Sequence, residues 1–241
     1  MSSQQIAAEP HASYSVGKPA WTIKKLGEVA EIRGGVTKGR KLKGKKTITL
    51  PYLRVANVQD GYLDLDEVKM INVLESDLEK YHLEYEDVLF TEGGDKDKLG
   101  RGTVWQNEVD DCIHQNHIFR ARINDKSYLI PKFLTFFAQS PDGRDYFFKN
   151  AKQTVNLASI NKTILSNLPL PIPEEDEQLK IIEEIETRFS VCEHLENTIE
   201  TNLQKEKALR QSILKKAFEG ELTREWREQN PDLVSGENSA K

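Results

Sequence analysis

Seven positive charges and no acid fall within RGGVTKGRKLKGKK, residues 33–46. Arg33, Lys38, Arg40, Lys41, Lys43, Lys45 and Lys46 form a field that attracts phosphate, with Thr37 counted in the same loop. Lys96, Lys98 and Arg101 make a second basic loop. Phosphate contacts set register and salt-dependent affinity, whereas base identity is read at base edges by groups that both donate and accept. Asn57, Gln59, Gln115, Asn116, His117 and Asn156 carry such groups near the ends of predicted strands or in loops. For each, the competing reading is an ordinary solvated turn amide.

Other chemistries fit less well. GRKLKGKK, residues 39–46, nearly matches the phosphate cradle G-x-x-x-x-G-K-[ST], but Lys46 replaces the magnesium-holding hydroxyl and a strand-like TITLPYL follows. Cys112, His114 and His117 supply three zinc-ligand types where a structural site wants four. A nuclease needs clustered carboxylates with a lysine, and Asp60 with Glu67 and Lys69 is the nearest approach. A methyltransferase would show a Pro-Pro-aromatic loop and a Gly-rich cofactor turn, and neither is present.

The elements that must hold these residues come from pattern and punctuation. Residues 1–20 read as a flexible tail. LPYLRVANV, DVLFTEG, GRGTVWQ and HIFRARI read as strands of a mostly β domain over 21–173. PKFLTFFAQ and PDGRDYFFKN have helical spacing with Pro at the first turn, a short helix is expected within 159–165, and NLPLPIP is an extended exit. From 174 to 220 there is neither Pro nor Gly before Gly220, which predicts about 70 Å of helix at 1.5 Å per residue. Ile182, Ile185, Phe189, Cys192, Ile199 and Leu203 recur at 3-and-4 spacing, and Leu209 and Ile213 continue the stripe in a shifted phase. That stripe predicts a dimerisation seam. Residues 221–241 read as a tail or bridge. The fold class expected is α+β, a mostly β domain with short helices followed by a long coiled-coil-forming helix.

The 241 residues carry a net charge of -5, but residues 174–241 hold 17 acids and 10 bases, leaving the first 173 residues slightly basic. The average therefore does not argue against a nucleic-acid partner. No apolar run approaches the ~20 residues of a membrane span. Two distant cysteines and a polar start predict a cytoplasmic protein rather than a secreted disulfide scaffold.

LPYLRVANV with DGYLDL, DVLFTEGG, LGRGTVW, HQNHIFRAR, the hinge NLPLPIPEEDEQLKI and the ending LRQSILKKAFEGELTREW together resemble the specificity subunit of type I restriction-modification systems. The resemblance covers about residues 21–240. It implies a non-enzymatic protein that binds double-stranded DNA, reading one half of a bipartite site with one target-recognition domain. A full-length subunit of that family has two such domains, each followed by a helical spacer, so a one-unit chain would pair with a second copy as a homodimer on a split palindrome. The chain would be either a half-subunit or one cut before a second half. The resemblance also implies modification subunits, which bind S-adenosylmethionine and supply methyl transfer, and leaves open a restriction and motor subunit. No cofactor of the chain's own is expected. A small Mg-dependent endonuclease and an inert truncated subunit are the alternatives.

Overall fold

A computed structural model describes residues 21–94, 99–153 and 158–234. They belong to two compact units, one ending at Ile182 and the other beginning at Glu183.

In the first unit β1 (Thr22–Lys25), α1 (Leu26–Val29) and β2 (Ala30–Gly34) lead into the basic loop and then β3 (Thr47–Leu53). After β4 (Lys69–Leu74) and α2 (Glu75–Tyr81) come β5 (Val88–Thr91), β6 (Gly93–Gly94), β7 (Gly102–Val104), β8 (Ile113–His114) and β9 (Ile118–Ile123). The helices α3 (Pro131–Gln139) and α4 (Pro141–Asn150) follow, then β10 (Lys152–Gln153), β11 (Ala158–Ser159), α5 (Lys162–Ser166) and β12 (Pro169–Ile172). The strands form small sheets in the orders β2-β9-β5-β7, β4-β3-β8, β10-β11-β6 and β1-β12.

The central strand β5 explains how one sheet organises the domain. All four of its residues are buried. Successive side chains of a strand point to opposite faces. Val88 and Phe90 accordingly join a core with Phe119, Ala121, Phe133, Leu134 and Phe147, while Leu89 joins Leu53, Trp105, Cys112 and Ile118. A third cluster of Val36, Leu50, Tyr52, Val73 and Ile113 lies around β3. The helices α3 and α4 begin at Pro131 and Pro141 as the proline rule predicts, and the Ser140 hydroxyl caps α4 by accepting from Gly143 N–H. LPYLRVANV is only partly a strand, because β3 ends at Leu53 and Val55–Asn57 forms a 3-10 turn. The helix α2 is not foreshadowed by the sequence pattern.

The helix α6 (Glu175–Phe218) is one uninterrupted element of 44 residues, starting on Glu175, Asp176 and Glu177, whose charges suit a helix N-terminus. Gln178 is wholly buried: its Oε1 accepts from Ile130 N–H at 2.9 Å, and its Nε2 donates to Tyr128 O at 2.8 Å and Pro173 O at 2.9 Å. Ile182 belongs to the first unit's own core. This corrects its assignment to a dimer seam: the first turns of the stripe are covered by the domain they leave.

In the second unit the rest of α6 exposes Phe189, Val191, Leu195, Ile199, Leu203, Leu209, Ile213, Leu214 and Phe218, and Cys192 is an exposed free thiol. Ile185, at the start of this unit, is half-buried. Gly220 ends the helix in the left-handed conformation at φ 76, and its carbonyl accepts from Arg227 of α7 (Arg224–Gln229) at 2.6 Å. A short α8 (Pro231–Val234) follows. The α+β class, a mostly β domain with short helices and then a long helix, is as expected. Among the described residues no helix is long and apolar enough to cross a membrane.

Candidate nucleic-acid interface

The basic loop is anchored at its start and along its middle. Val36 N–H donates to His114 O and Asn116 N–H donates to Val36 O, so the loop's first residues lie against the turn between β8 and β9. Leu42 is half-buried, and with Thr37, Gly39 and Arg40 it closes a cavity of about 200 Å³ against Ile71, Val73 and Asp77. Gly39 and Gly44 turn the chain at φ 80 and 78, which L side chains adopt only under strain.

Two of the seven cations are spent on the protein itself. Arg33 pairs with Glu31 at 2.6 Å and donates to Lys80 O, and Arg40 pairs at 2.8 Å with Asp77, a buried carboxylate that also accepts from Leu74 N–H. A buried carboxylate left without its cation is costly, so Arg40 is corrected from a phosphate contact to a strut, while Arg33 is held by the exposed Glu31 and by Lys80 O. Burial raises the Glu31 pKa, but Arg120, Arg33 and Arg122 outweigh it and hold the carboxyl below its usual range. Lys38, Lys41, Lys43, Lys45 and Lys46 are exposed and pair with no acid among the described residues. Those five remain available to an anion.

The polar candidates separate in the same way. Asn57 is buried, its Oδ1 accepting from Arg54 N–H and its Nδ2 donating to Asp64 O and Glu67 O. Its amide stitches a loop and has nothing left for a base, which corrects its assignment. Gln59 donates to Ala56 O and accepts from Arg101 at 2.7 Å, joining two candidates into one pair. Gln115 and Asn116 are half-exposed beside the basic loop. His117 is exposed and its Nδ1 is paired with Glu92, while its Nε2 faces Asn116 Nδ2 at 3.4 Å. Backbone bonds from Gln115 N–H to Leu53 O, Glu92 N–H to His117 O and Thr91 N–H to Arg101 O tie these segments along one run of strand ends. Beside them lies an open cleft of about 480 Å³ lined by Val55, Glu92, Gly93, Gly94, His117, Lys152, Ala158 and Ser159. Lys96, Lys98 and Asn156 lie outside the described residues. Glu92, Lys152 and Ser159 were missed, since only the fold brings β6, β10 and β11 beside the His117 turn.

The competing chemistries are accounted for by their contacts. Cys112 packs in an apolar cluster, where burial pushes its thiol up to about 12. His114 is fully buried between Tyr81 O and Arg33 O, and loss of solvent pushes its pKa down to about 4. Asp60 pairs with Arg144, whereas Glu67 pairs with Arg54 and Lys69. The two carboxylates are thus held by different cations instead of converging. A strand, β3, follows the Gly39–Lys46 segment where a phosphate cradle needs a helix.

Residues 19–205 match the model of the type I restriction modification DNA specificity domain family. The type I restriction enzyme StySPI specificity subunit of Salmonella potsdam is 32% identical over 222 residues, 91% of this chain and 47% of that protein. The EcoKI specificity subunit of Escherichia coli K12 is 30% identical over 214 residues, 88% of this chain and 45% of that protein. The chain therefore spans about half the length of these relatives. Among solved structures, the HsdS subunit from Thermoanaerobacter tengcongensis aligns with a TM-score of 0.52 at 21% identity, covering 88% of this chain and 47% of that one. A chain from a structure of complex assembly and conformational transition of the type I R-M system aligns with a TM-score of 0.57 at 22% identity, covering 87% and 48%. These two establish likeness of fold.

Proposed function

Because this chain belongs to the type I restriction modification DNA specificity domain family, we propose that it is a DNA-reading module that selects one half of a bipartite site for a methylating complex. Lys38, Lys41, Lys43, Lys45 and Lys46 hold phosphates; Gln59 with Arg101, and Gln115 and Asn116, face the bases, with His117 beside Asn116. The observation that carries the reading is the backbone stitching of Val36 to His114 and Asn116. It supports the reading because it ties the foot of the lysine loop to the turn that carries Gln115 and Asn116, so one docking event would satisfy both position and sequence.

The second unit supplies spacing. A second copy of α6 would cover the stripe from Phe189 to Ile213, holding two reading domains a fixed distance apart on a palindrome with an unread gap. Modification subunits that bind S-adenosylmethionine and transfer the methyl group would dock on the assembly, with a place for a restriction and motor subunit. The chain itself catalyses nothing in this reading and works in the cytoplasm.

Co-expression with a modification subunit tests it. The expected result is a complex that methylates a split palindrome and ignores its scrambled counterpart. DNA cleavage by the purified chain with Mg²⁺, abolished by Glu67→Ala, would contradict it.

A further inference from the structure

We infer that Glu92, His117 and Asn116 form a relay that fixes the Asn116 amide in the orientation that reads adenine. The inference rests on the DNA-reading function proposed above and names the base. A carboxylate can only accept, so in the Glu92–His117 pair the Nδ1–H of His117 is the donor. The Asn116 atom that faces Nε2, 3.4 Å away, is Nδ2, and an amide nitrogen can only donate, so Nε2 accepts through its lone pair. One Nδ2 hydrogen is thereby committed to His117.

What remains of the amide is one hydrogen on Nδ2 and the oxygen Oδ1, and neither has a partner among the described residues. A hydrogen and a lone pair on one planar group match adenine, whose N7 accepts and whose N6 amino group donates in the major groove. Guanine offers two acceptors there, so its O6 would meet the Oδ1 lone pair. An unrestrained asparagine can flip its amide and blur such a choice. Glu92, itself only one-third exposed and at the wall of the 480 Å³ cleft, prevents the flip by fixing the His117 tautomer. Asn116 is also well placed for contact: its backbone N–H is bonded to Val36 O, at the foot of the lysine loop.

The test is selection by the intact chain from a duplex library with two randomised blocks and a variable gap, read by sequencing the bound fraction. The relay predicts one position in each half-site where adenine exceeds the other bases by about tenfold, within the range for one bidentate contact. Asn116→Ala flattens that position alone, and Asn116→Asp moves it toward cytosine, which presents only a donor. Glu92→Ala and His117→Ala weaken the same preference without altering neighbouring positions. Glu92→Gln, which keeps an acceptor of the same size, retains it. The relay is overturned if the Asn116 variants leave every position unchanged, or if all positions flatten together as a folding defect would cause. A parent chain that enriches nothing would overturn the DNA-reading function, and the relay with it.

Discussion

The unit ending at Ile182 and the unit beginning at Glu183 handle their side chains in opposite ways. In the first, apolar residues are distributed among three buried clusters, and buried charges have partners, such as Asp77 with Arg40 and Asp87 with Arg122. Its available polar surface beside the basic loop is left to a few lysines and amides. In the second, Leu195, Ile199, Leu203, Leu209 and Ile213 stand exposed on one long helix. The first unit has finished its folding with its own atoms, whereas the second displays surface that a soluble helix ordinarily buries against a neighbour. On the proposed function, reading and spacing fall to separate units, and the same type of substitution should have different consequences in each.

The largest effect expected is in the first unit. Phe147→Ala, removing a fully buried ring, should cost about 3–5 kcal/mol in denaturant unfolding. Trimming Leu203 on the exposed helix should shift the stability of the isolated chain by no more than about 0.5 kcal/mol. Equal costs at the two positions would erase the distinction between the units.

Acidification comes next. His114 is held neutral when folded, with its pKa at about 4, and regains an ordinary value of 6.5 when unfolded. Between those values the unfolded chain binds the extra proton, so stability is full above pH 6.5 and falls as pH drops toward 4. The loss should approach about 3 kcal/mol at roughly 1.36 kcal/mol per pKa unit. Melting curves from neutral pH down to the folded-state pKa check it, and His114→Gln, if it folds, should flatten the dependence.

A smaller cost attends Gln178→Ala, which strands the Ile130 N–H and the carbonyls of Tyr128 and Pro173. About 1–3 kcal/mol is expected in all, the cost of one buried group left without a partner, measured in denaturant. No stability change is expected when Lys41, Lys43 and Lys45 become Glu, yet DNA binding should weaken for all sequences alike. The slope of log affinity against log salt should flatten by about 0.9 for each phosphate that the loop no longer neutralises. A weakening confined to one sequence would remove these lysines from the phosphate set.

How much was legible follows from the range over which each signal acts. The starts of α3 and α4 are written in Pro131 and Pro141, and the long helix in its lack of Pro and Gly, so both could be read locally. The pairing of Thr22–Lys25 with Pro169–Ile172 could not, because short strands find partners by tertiary packing across most of the domain. Ile182 continues the 3-and-4 spacing perfectly well; spacing cannot say whether a stripe is covered by its own domain or by another chain. Asn57 and Asn116 are the same residue type in similar loops. Only the carbonyls of Asp64 and Glu67 in one case, and His117 in the other, separate a stitched amide from an available one.

The division between a reading unit and a spacing unit is tested most directly by the affinity of the intact chain for a selected split site as the gap between its halves is varied. Two domains held by paired helices predict one preferred gap, with binding falling sharply when about five base pairs are inserted, roughly half a turn that rotates the second half-site away. Affinity indifferent to the gap, with the halves bound independently, would contradict the account.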